Sequence, residues 1–535
     1  MGEFGALNWA ILIVYIIGNL GLGVVLSSKV ESAEDYFLGD RSIPWWAIGI
    51  SVVSTYVSAL TFLGGPAWSY TDGLSVIAIH LNYPIVIFFV VTFFLPFFFN
   101  SGVASIYEYQ ERRFGPKARS VLAAVFLLTQ ALTSAAVLYA TSLVLEFITG
   151  LSVGYCIVIV TIVALIYTSL GGIAAVIWTD VIQASILFVG AFIILFALLG
   201  ELPAPIAEVL ANLKAEGRTE ALVPSFDLTK VSTVWSGIIA MTLFHVTVYG
   251  ANQMMVQRTL AARSIGDAKK SFMMMGFGAF FIYFLFLLLG ILFYAYYGGR
   301  EFENGNTIIL QFAQEYGLPG LMGLIAAAVM AASMSSLDSA FNSMATVSTI
   351  DFYQRYFAPD RDGKHYLVAS RVFTFLWAML IIFPALAFAG SEGSVLETLS
   401  KVGSYFVGAK LSMFALGFFS RDTTERGLLV GVAVGFITVW YVATQTDIAW
   451  PWYCAIGGGV NMSVSWLASR ILDGKQDRYS PYTVVGQRAQ FEETGRDISV
   501  DGWYALPGKV DGVSWWLLVF FAFTIAFLFV FNAVI

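Results

Sequence analysis

Apolar residues run through this chain in blocks long enough to cross a bilayer, and most of the blocks have no polar face. Stretches of spanning length fall near residues 7–27, 45–66, 74–100, 118–149, 153–170, 174–200, 233–257, 271–298, 318–350, 367–389, 396–419, 427–444, 450–469 and 513–535. About 20 consecutive apolar residues cover the hydrocarbon core of a membrane. Leu, Val, Ile and Phe occur all round most of these stretches, as lipid or protein on every side requires. The pattern predicts an all-α integral membrane protein with about fourteen transmembrane helices.

The basic residues test this segmentation. With the N-terminus outside, twenty-two of the 28 lysines and arginines fall in inner loops, among them Lys29, Arg41, Arg112, Arg113, Arg258, Lys269, Arg355 and Arg488. Lys214, Arg218, Lys230 and Arg300 fall outside, while Lys401 and Lys410 lie within a span. An excess of this size on one side follows the positive-inside rule. It predicts a multi-pass protein of the inner (plasma) membrane with both termini outside. Removing any one stretch would invert every later loop.

Composition narrows the classes further. Hydrophobic residues make up 58% of the chain and charged residues 12%, against about 25% charged in soluble domains. The mean hydropathy is +0.79. A cytosolic enzyme, a nucleic-acid binder and a disordered chain are excluded on these grounds. Cys156 and Cys454 both sit in apolar runs, which argues against a disulfide framework, and no Cys/His spacing fits a metal site. The first apolar run lacks a basic leader and a cleavage site, so it is expected to be a retained helix.

Two stretches are interrupted by polar and small residues. The 45–66 stretch carries Ser51, Ser54, Thr55, Tyr56, Ser58 and Thr61 and ends in Gly64-Gly65-Pro66; the 233–257 stretch carries His245, Thr247, Tyr249, Gly250, Asn252 and Gln253. They lie five stretches apart. Matched broken helices in two halves point to a transporter's binding site, although small residues also serve close helix packing. The odd number of spans per half makes the halves, 45–200 and 233–419, opposite in orientation.

A third polar cluster lies in the 318–350 stretch, where Ala332, Ser335, Ser336 and Ser339 share one helix face at i, i+3, i+4 and i+7. Gathered oxygens suit a small hard cation, while serines in a span also bond back to their own helix. Asp338 stands beside them, and Asp180 lies in another span. A charge in hydrocarbon costs roughly 2.5–3.5 kcal/mol and so faces a cavity or a partner. Asp180 reads either as an interfacial aspartate or as a site acid. Asp338 and Lys410 read either as a structural ion pair or as functional charges. His80 and His245 read either as packing residues or as ligand contacts.

Several longer motifs are similar to one family. Asp35-Tyr36-Phe37-Leu38-Gly39, Ser105-Ile106-Tyr107-Glu108-Tyr109, the run Gly171 to Gln183 containing Trp178-Thr179-Asp180, Asn252-Gln253 with Val256-Gln257-Arg258, Ser335-Ser336 and Phe414-Ala415-Leu416-Gly417 resemble the solute:sodium symporters, the sodium/glucose cotransporter family, in a bacterial-type member. The resemblance covers nearly the whole chain. It implies a single transporter domain with a five-plus-five inverted-repeat, LeuT-like core. A leading helix at 7–27 would precede the core and peripheral helices over 427–535 would follow it. It further implies a monomeric unit in the lipid bilayer that imports a small solute with Na+ by alternating access.

The same resemblance implies site residues. Sodium is expected at the hydroxyls of Ser335 and Ser336 and the carbonyls of Ser54, Val57 and Ala332. A second ion site would use Asp180, Asp338 and Ser339. Aligned members carry a hydroxyl where Asp338 stands, so that carboxylate would bind Na+, bind a proton or be neutralised by Lys410. Solute contacts are expected from Ser58, Thr61, His80, Thr133, His245, Tyr249 and Ser400, with Lys410 added. Sugar carriers of the family have glutamine, glutamate, asparagine and lysine at Thr61, His80, His245 and Ala279, which disfavours a hexose. A sialic-acid-type member has arginine at the position of Thr133. The run Ser54 to Thr61 looks most like the branch carrying monocarboxylates, vitamins and iodide, and Lys410 with two histidines suits an anionic or carboxylate solute. The alternatives are sodium-coupled sugar, sialic-acid or amino-acid uptake, proton coupling, and a solute sensor. No His-Glu-x-x-His or Gly-x-Ser-x-Gly motif argues for an enzyme.

Overall fold

Helix fills most of the described apolar blocks, because backbone polar groups in hydrocarbon have no partner but their own chain. The computed structural model describes residues 4–27, 43–103, 105–168, 173–389, 393–476 and 479–534. Lys29, Arg41, the Asp35–Gly39 motif and Gly171-Gly172 lie outside them. In chain order the helices are α1 (Ala6–Ser27), α2 (Trp45–Tyr56), α3 (Gly65–Asp72), α4 (Tyr83–Phe89), α5 (Leu95–Ser101), α6 (Ile106–Arg113), α7 (Pro116–Thr149), α8 (Val153–Thr168), α9 (Ile173–Gly200), α10 (Ile206–Ala215) and α11 (Met241–Gly250). There follow α12 (Gln253–Leu260), α13 (Ile265–Tyr297), α14 (Ile308–Tyr316), α15 (Leu321–Val347), α16 (Gly363–Leu380), α17 (Ile382–Phe388), α18 (Val395–Phe419), α19 (Glu425–Gln445), α20 (Trp452–Asp473), α21 (Val484–Thr494) and α22 (Trp515–Val534). A single small hairpin, Ser499–Val500 against Trp503–Tyr504, is the only strand pairing among the described residues.

Nine helical segments among the described residues are long and apolar enough to cross a membrane, and three shorter apolar helices accompany them. The centre of the molecule is α15, in which every residue except Leu324 is buried. Packed on it are α1, α7 and α9, and α9 also lies against α2. On the other side α13 packs against α2, α3 and α4, and α22 covers α4 and α13. The pair α19 and α20 leans on α18.

Both expected interruptions occur. In the first, α2 stops at Tyr56, Val57 takes φ −85° and ψ 84°, and helical turns resume at Leu60. Ser58 caps the restart, its Oγ accepting from Leu60 N at 3.2 Å. Pro66 sits in the first turn of α3, where a missing N–H costs nothing. The two glycines serve packing instead: a Cβ on Gly64 would press on Leu396 and one on Gly65 on Phe286. The second break lies between α11 and α12, where Asn252 caps the new helix by accepting from Met254 N at 3.0 Å.

One end of the bundle is held by α6, a short helix N-capped by Ser105, whose Oγ accepts from Glu108 N at 3.1 Å. Ile106 N donates to Gln253 Oε1 at 3.2 Å and Gln110 Nε2 to Met413 O at 3.2 Å. Tyr109 Oη donates to Tyr482 O at 3.1 Å, and Arg113 to the carbonyls of Gly417 and Ser420. Glu111 pairs with Arg119 at 2.6 Å and with Arg355, and Arg119 pairs with the buried Asp351 at 2.7 Å. The segment from Ser480 to Asp511 lies over the same end, with Lys269 Nζ 2.5 Å from Asp511 Oδ2 and Gly508 N donating to Thr92 O at 2.8 Å.

Close packing of α3 on α13 depends on Gly290, where a Cβ would overlap Ser69 Oγ and Pro66 O, and Ser69 Oγ donates to Leu287 O at 2.8 Å. Gly290→Leu is expected to lower the apparent unfolding temperature of detergent-solubilised protein, with overpacking worth about 1–3 kcal/mol. An unchanged midpoint would contradict this contact.

Candidate ion and solute site

The break after α2 leaves carbonyls without the amide donors a continuous helix would supply. Ser336 Oγ donates to Thr55 O at 3.1 Å, and Thr61 Oγ1 to Tyr56 O at 3.4 Å. Among the described residues no N–H or O–H donates to the carbonyls of Ser54 or Val57. Ser335 and Ser336 of α15 pack against this break, with Ser335 Oγ 3.2 Å from Ser54 Oγ and 2.5 Å from Asp180 Oδ1. Ala332 lies one turn earlier and is buried. Two hydroxyls and two unpaired carbonyls beside a carboxylate form an oxygen donor set that fits a hard monovalent cation. Such an ion would supply the positive charge these oxygens converge on.

Asp180 is not an interfacial aspartate. It is fully buried on α9 and accepts from Ser51 Oγ, from Ser335 Oγ and from Arg258 Nη2 at 3.2 Å. Arg258, counted above among the inner-loop bases, is itself fully buried. Its Nε donates to Ser51 Oγ at 2.8 Å, Nη1 to Met254 O at 3.0 Å and Nη2 also to Ser339 Oγ at 2.7 Å. The expected second ion set therefore divides. Asp180 and Ser339 meet through a guanidinium, while Asp338 accepts from Thr168 Oγ1 of α8.

The expected neutralisation of Asp338 by Lys410 is corrected by this geometry. Lys410 lies on α18, its Nζ 5.6 Å from the Phe126 ring centre, and lines a cavity that Asp338 does not reach. It makes no ion pair among the described residues. The two residues sit at comparable depth in sequence but on helices whose facing only the packing decides.

That cavity, about 150 Å³, opens between the two interrupted helices, α7 and α18. Ser58, His80, Thr133, His245, Tyr249, Ser400 and Lys410 line it as expected, whereas Thr61 is fully buried behind the wall. Ser336 lines it too, so one residue faces both the cavity and the break in α2. The breaks themselves are tied together: Asn252 Nδ2 donates to Tyr56 Oη at 3.1 Å, and Tyr56 Oη donates to Val248 O at 3.3 Å. Aromatic rings build the far wall. His80 stacks on Tyr283 with centroids 3.6 Å apart, and Tyr83 stacks on His245 at 4.7 Å. His80 Nε2 is buried with no hydrogen-bond partner among the described residues.

A model of the sodium:solute symporter family matches residues 36–435. The chain belongs to that family. This symporter is 31% identical over 455 residues to the sodium/glucose cotransporter of Vibrio parahaemolyticus, covering 79% of this chain and 82% of the relative. It is 30% identical over 474 residues to the sodium/sialic acid symporter of Aliivibrio fischeri, covering 87% and 94%. Among solved structures, a substrate-bound, outward-open Na+-coupled sialic acid symporter superposes with a TM-score of 0.81 at 26% identity, over 89% of this chain and 100% of the other. The protein is thus a multi-pass membrane transporter with a LeuT-like all-α core, and Na+ is its coupling ion.

Sequence reasoning missed Arg258, Ser51 and the aromatic wall of this symporter. Arg258 stands a few residues beyond an apolar run, where it is indistinguishable from a loop base. Tyr83, Tyr283 and Asn82 carry no signal among so many aromatic and small polar residues. Removing one member of a buried ion pair leaves the other uncompensated, which costs about 3–5 kcal/mol. Arg258→Ala is expected to destabilise this symporter by that order in thermal unfolding, and Arg258→Ala with Asp180→Asn to recover part of the loss. A double variant as unstable as the sum of the single ones would show that the pair is not coupled.

Proposed function

We propose that this symporter imports a small carboxylate-bearing solute together with Na+ by alternating access. The observation that carries the solute class is Lys410: an ammonium buried in the cavity wall with no acidic partner among the described residues. A buried charge without a protein partner favours a ligand that brings the opposite charge. The sialic-acid carriers among the relatives fit the same reading, since a sialic acid is itself a carboxylate.

On this reading Na+ binds the carbonyls of Ser54, Val57 and Ala332 and the hydroxyls of Ser335 and Ser336. Asp180, with Ser339 and Arg258, stands behind it and holds Ser335 in position. Any further ion would fall to Asp338, beside Thr168. Solute binds against Ser58, Thr133, His80, His245, Tyr249, Ser400 and Lys410, with Thr61 supporting the wall. Coupling arises because Ser336 and the 54–58 segment belong to both sets, so each ligand orders groups the other needs. Only a difference in affinity between outward- and inward-facing states moves the equilibrium. One charge moving down a membrane potential contributes about 2.3 kcal/mol per 100 mV.

The basic end held by α6 is assigned to the cytoplasm of an inner (plasma) membrane, with about fourteen crossings and both termini outside. Residues 45–200 and 233–419 form the two inverted repeats of a monomeric unit in the lipid bilayer. Residues 7–27 lead into them, and 427–535 are peripheral.

In proteoliposomes, Ser335→Ala with Ser336→Ala is expected to abolish Na+-stimulated uptake. Uptake that stayed Na+-dependent with unchanged apparent affinity would sink the ion site. Lys410→Met is expected to weaken carboxylate binding ten- to hundredfold, the equivalent of about 1.5–3 kcal/mol for a hydrogen bond to a charged group. Unchanged competition by carboxylates, or equal competition by neutral hexoses, would sink the solute class.

A further inference from the structure

Most polar groups on the cavity wall are hydroxyls, which donate or accept as the ligand requires. Lys410 and His245 instead have fixed polarity. Lys410 can only donate. His245 is fixed by a neighbour outside the cavity. Its Nδ1 lies 2.8 Å from Asn82 Oδ1. The amide of Asn82, fully buried, cannot turn round, because its Nδ2 donates to Gly237 O at 2.9 Å and to Ile79 O at 3.2 Å. Asn82 therefore presents an acceptor to His245, and Nδ1 must carry the proton. Among the described residues no carboxylate bonds either cavity histidine, and the second imidazole, His80, stands 6.3 Å away, so the ring is held neutral. A neutral imidazole with the proton on Nδ1 has a bare lone pair on Nε2. No described residue donates to that atom, and His245 lines the cavity.

We infer that the solute carries a hydrogen-bond donor as well as its carboxylate, and that His245 is the residue that selects for it. The class is a hydroxy- or amido-carboxylate, bound with the anion toward Lys410 and a hydroxyl or N–H toward His245 Nε2. This rests on the carboxylate reading above and narrows it. A plain alkyl carboxylate of the same length would leave Nε2 desolvated and unpaired. A site built to bond a substrate hydroxyl discriminates strongly against an analogue lacking it.

The test is competition for Na+-driven uptake in proteoliposomes by matched acids: lactate with propionate, 3-hydroxybutyrate with butyrate, and gluconate with hexanoate. The wild type is expected to favour the hydroxylated member of at least one pair by tenfold or more. His245→Phe keeps the stack on Tyr83 but removes the acceptor, and is expected to bring that ratio close to one in the Na+-driven uptake that the variant retains, whatever its rate. Should His245→Phe fail to fold, Asn82→Leu, which frees the tautomer, is expected to lower the same ratio. A wild type that separates none of the pairs, or a ratio that survives both substitutions, overturns the inference. Lys410→Met separates it from the carboxylate reading. If that variant leaves affinity for both members intact while hydroxyl discrimination persists, the carboxylate anchor is wrong and His245 stands.

Discussion

Every backbone N–H and C=O inside a bilayer must find a partner within the protein, and this one constraint shapes the centre of the molecule. A broken helix is tolerated only where something else bonds the freed groups. Here the two breaks supply one another: Asn252 bonds Tyr56, and Tyr56 bonds Val248 across the gap. Ser336 satisfies Thr55 O from a third helix. Among the described residues the carbonyls of Ser54 and Val57 are left over, beside the Ser54 hydroxyl that Ser335 bonds. The proposed ion site would thus be made of what helix interruption leaves unpaired.

The same economy joins ion and solute. Tyr56 and Ser58 line the cavity, and Ser54 and Val57 lie on the same few turns of chain. On the proposed reading, a cation that orders those carbonyls would also fix the wall against which the solute rests. The buried Arg258–Asp180 pair stiffens the back of this arrangement, tying α9, α12, α2 and, through Ser339, α15. Its neutrality matters: the carboxylate that holds Ser335 does not stand as a lone charge in the membrane interior.

Much of this was legible in the sequence, and the misses have physical causes. The serine face of α15 followed from helical spacing, and the pairing of two polar, glycine-containing stretches led to the right pair of helices. Within the first stretch the break falls at Val57, between the carbonyls the family resemblance pointed to, while Gly64 and Gly65 seat neighbouring side chains and Pro66 lies in a helix's first turn. Charge facing was harder still. Asp338 and Lys410 share depth but not direction, and periodicity within one helix carries no information about the rotation of another. Arg258 was counted in a loop because only tertiary structure shows that four acceptors follow it into the interior.

The short helix α6 joins more elements than its eight residues suggest. Through Gln253, Met413, Gly417, Tyr482, Arg119 and Arg355 it touches α12, α18, the 480–511 segment, α7 and the continuation of α15. No one of these elements can swing away at that end while the others keep their bonds to α6. The helix works as a mechanical coupling, like the hub of a linkage, so the bundle ends it joins move as a set or stay shut.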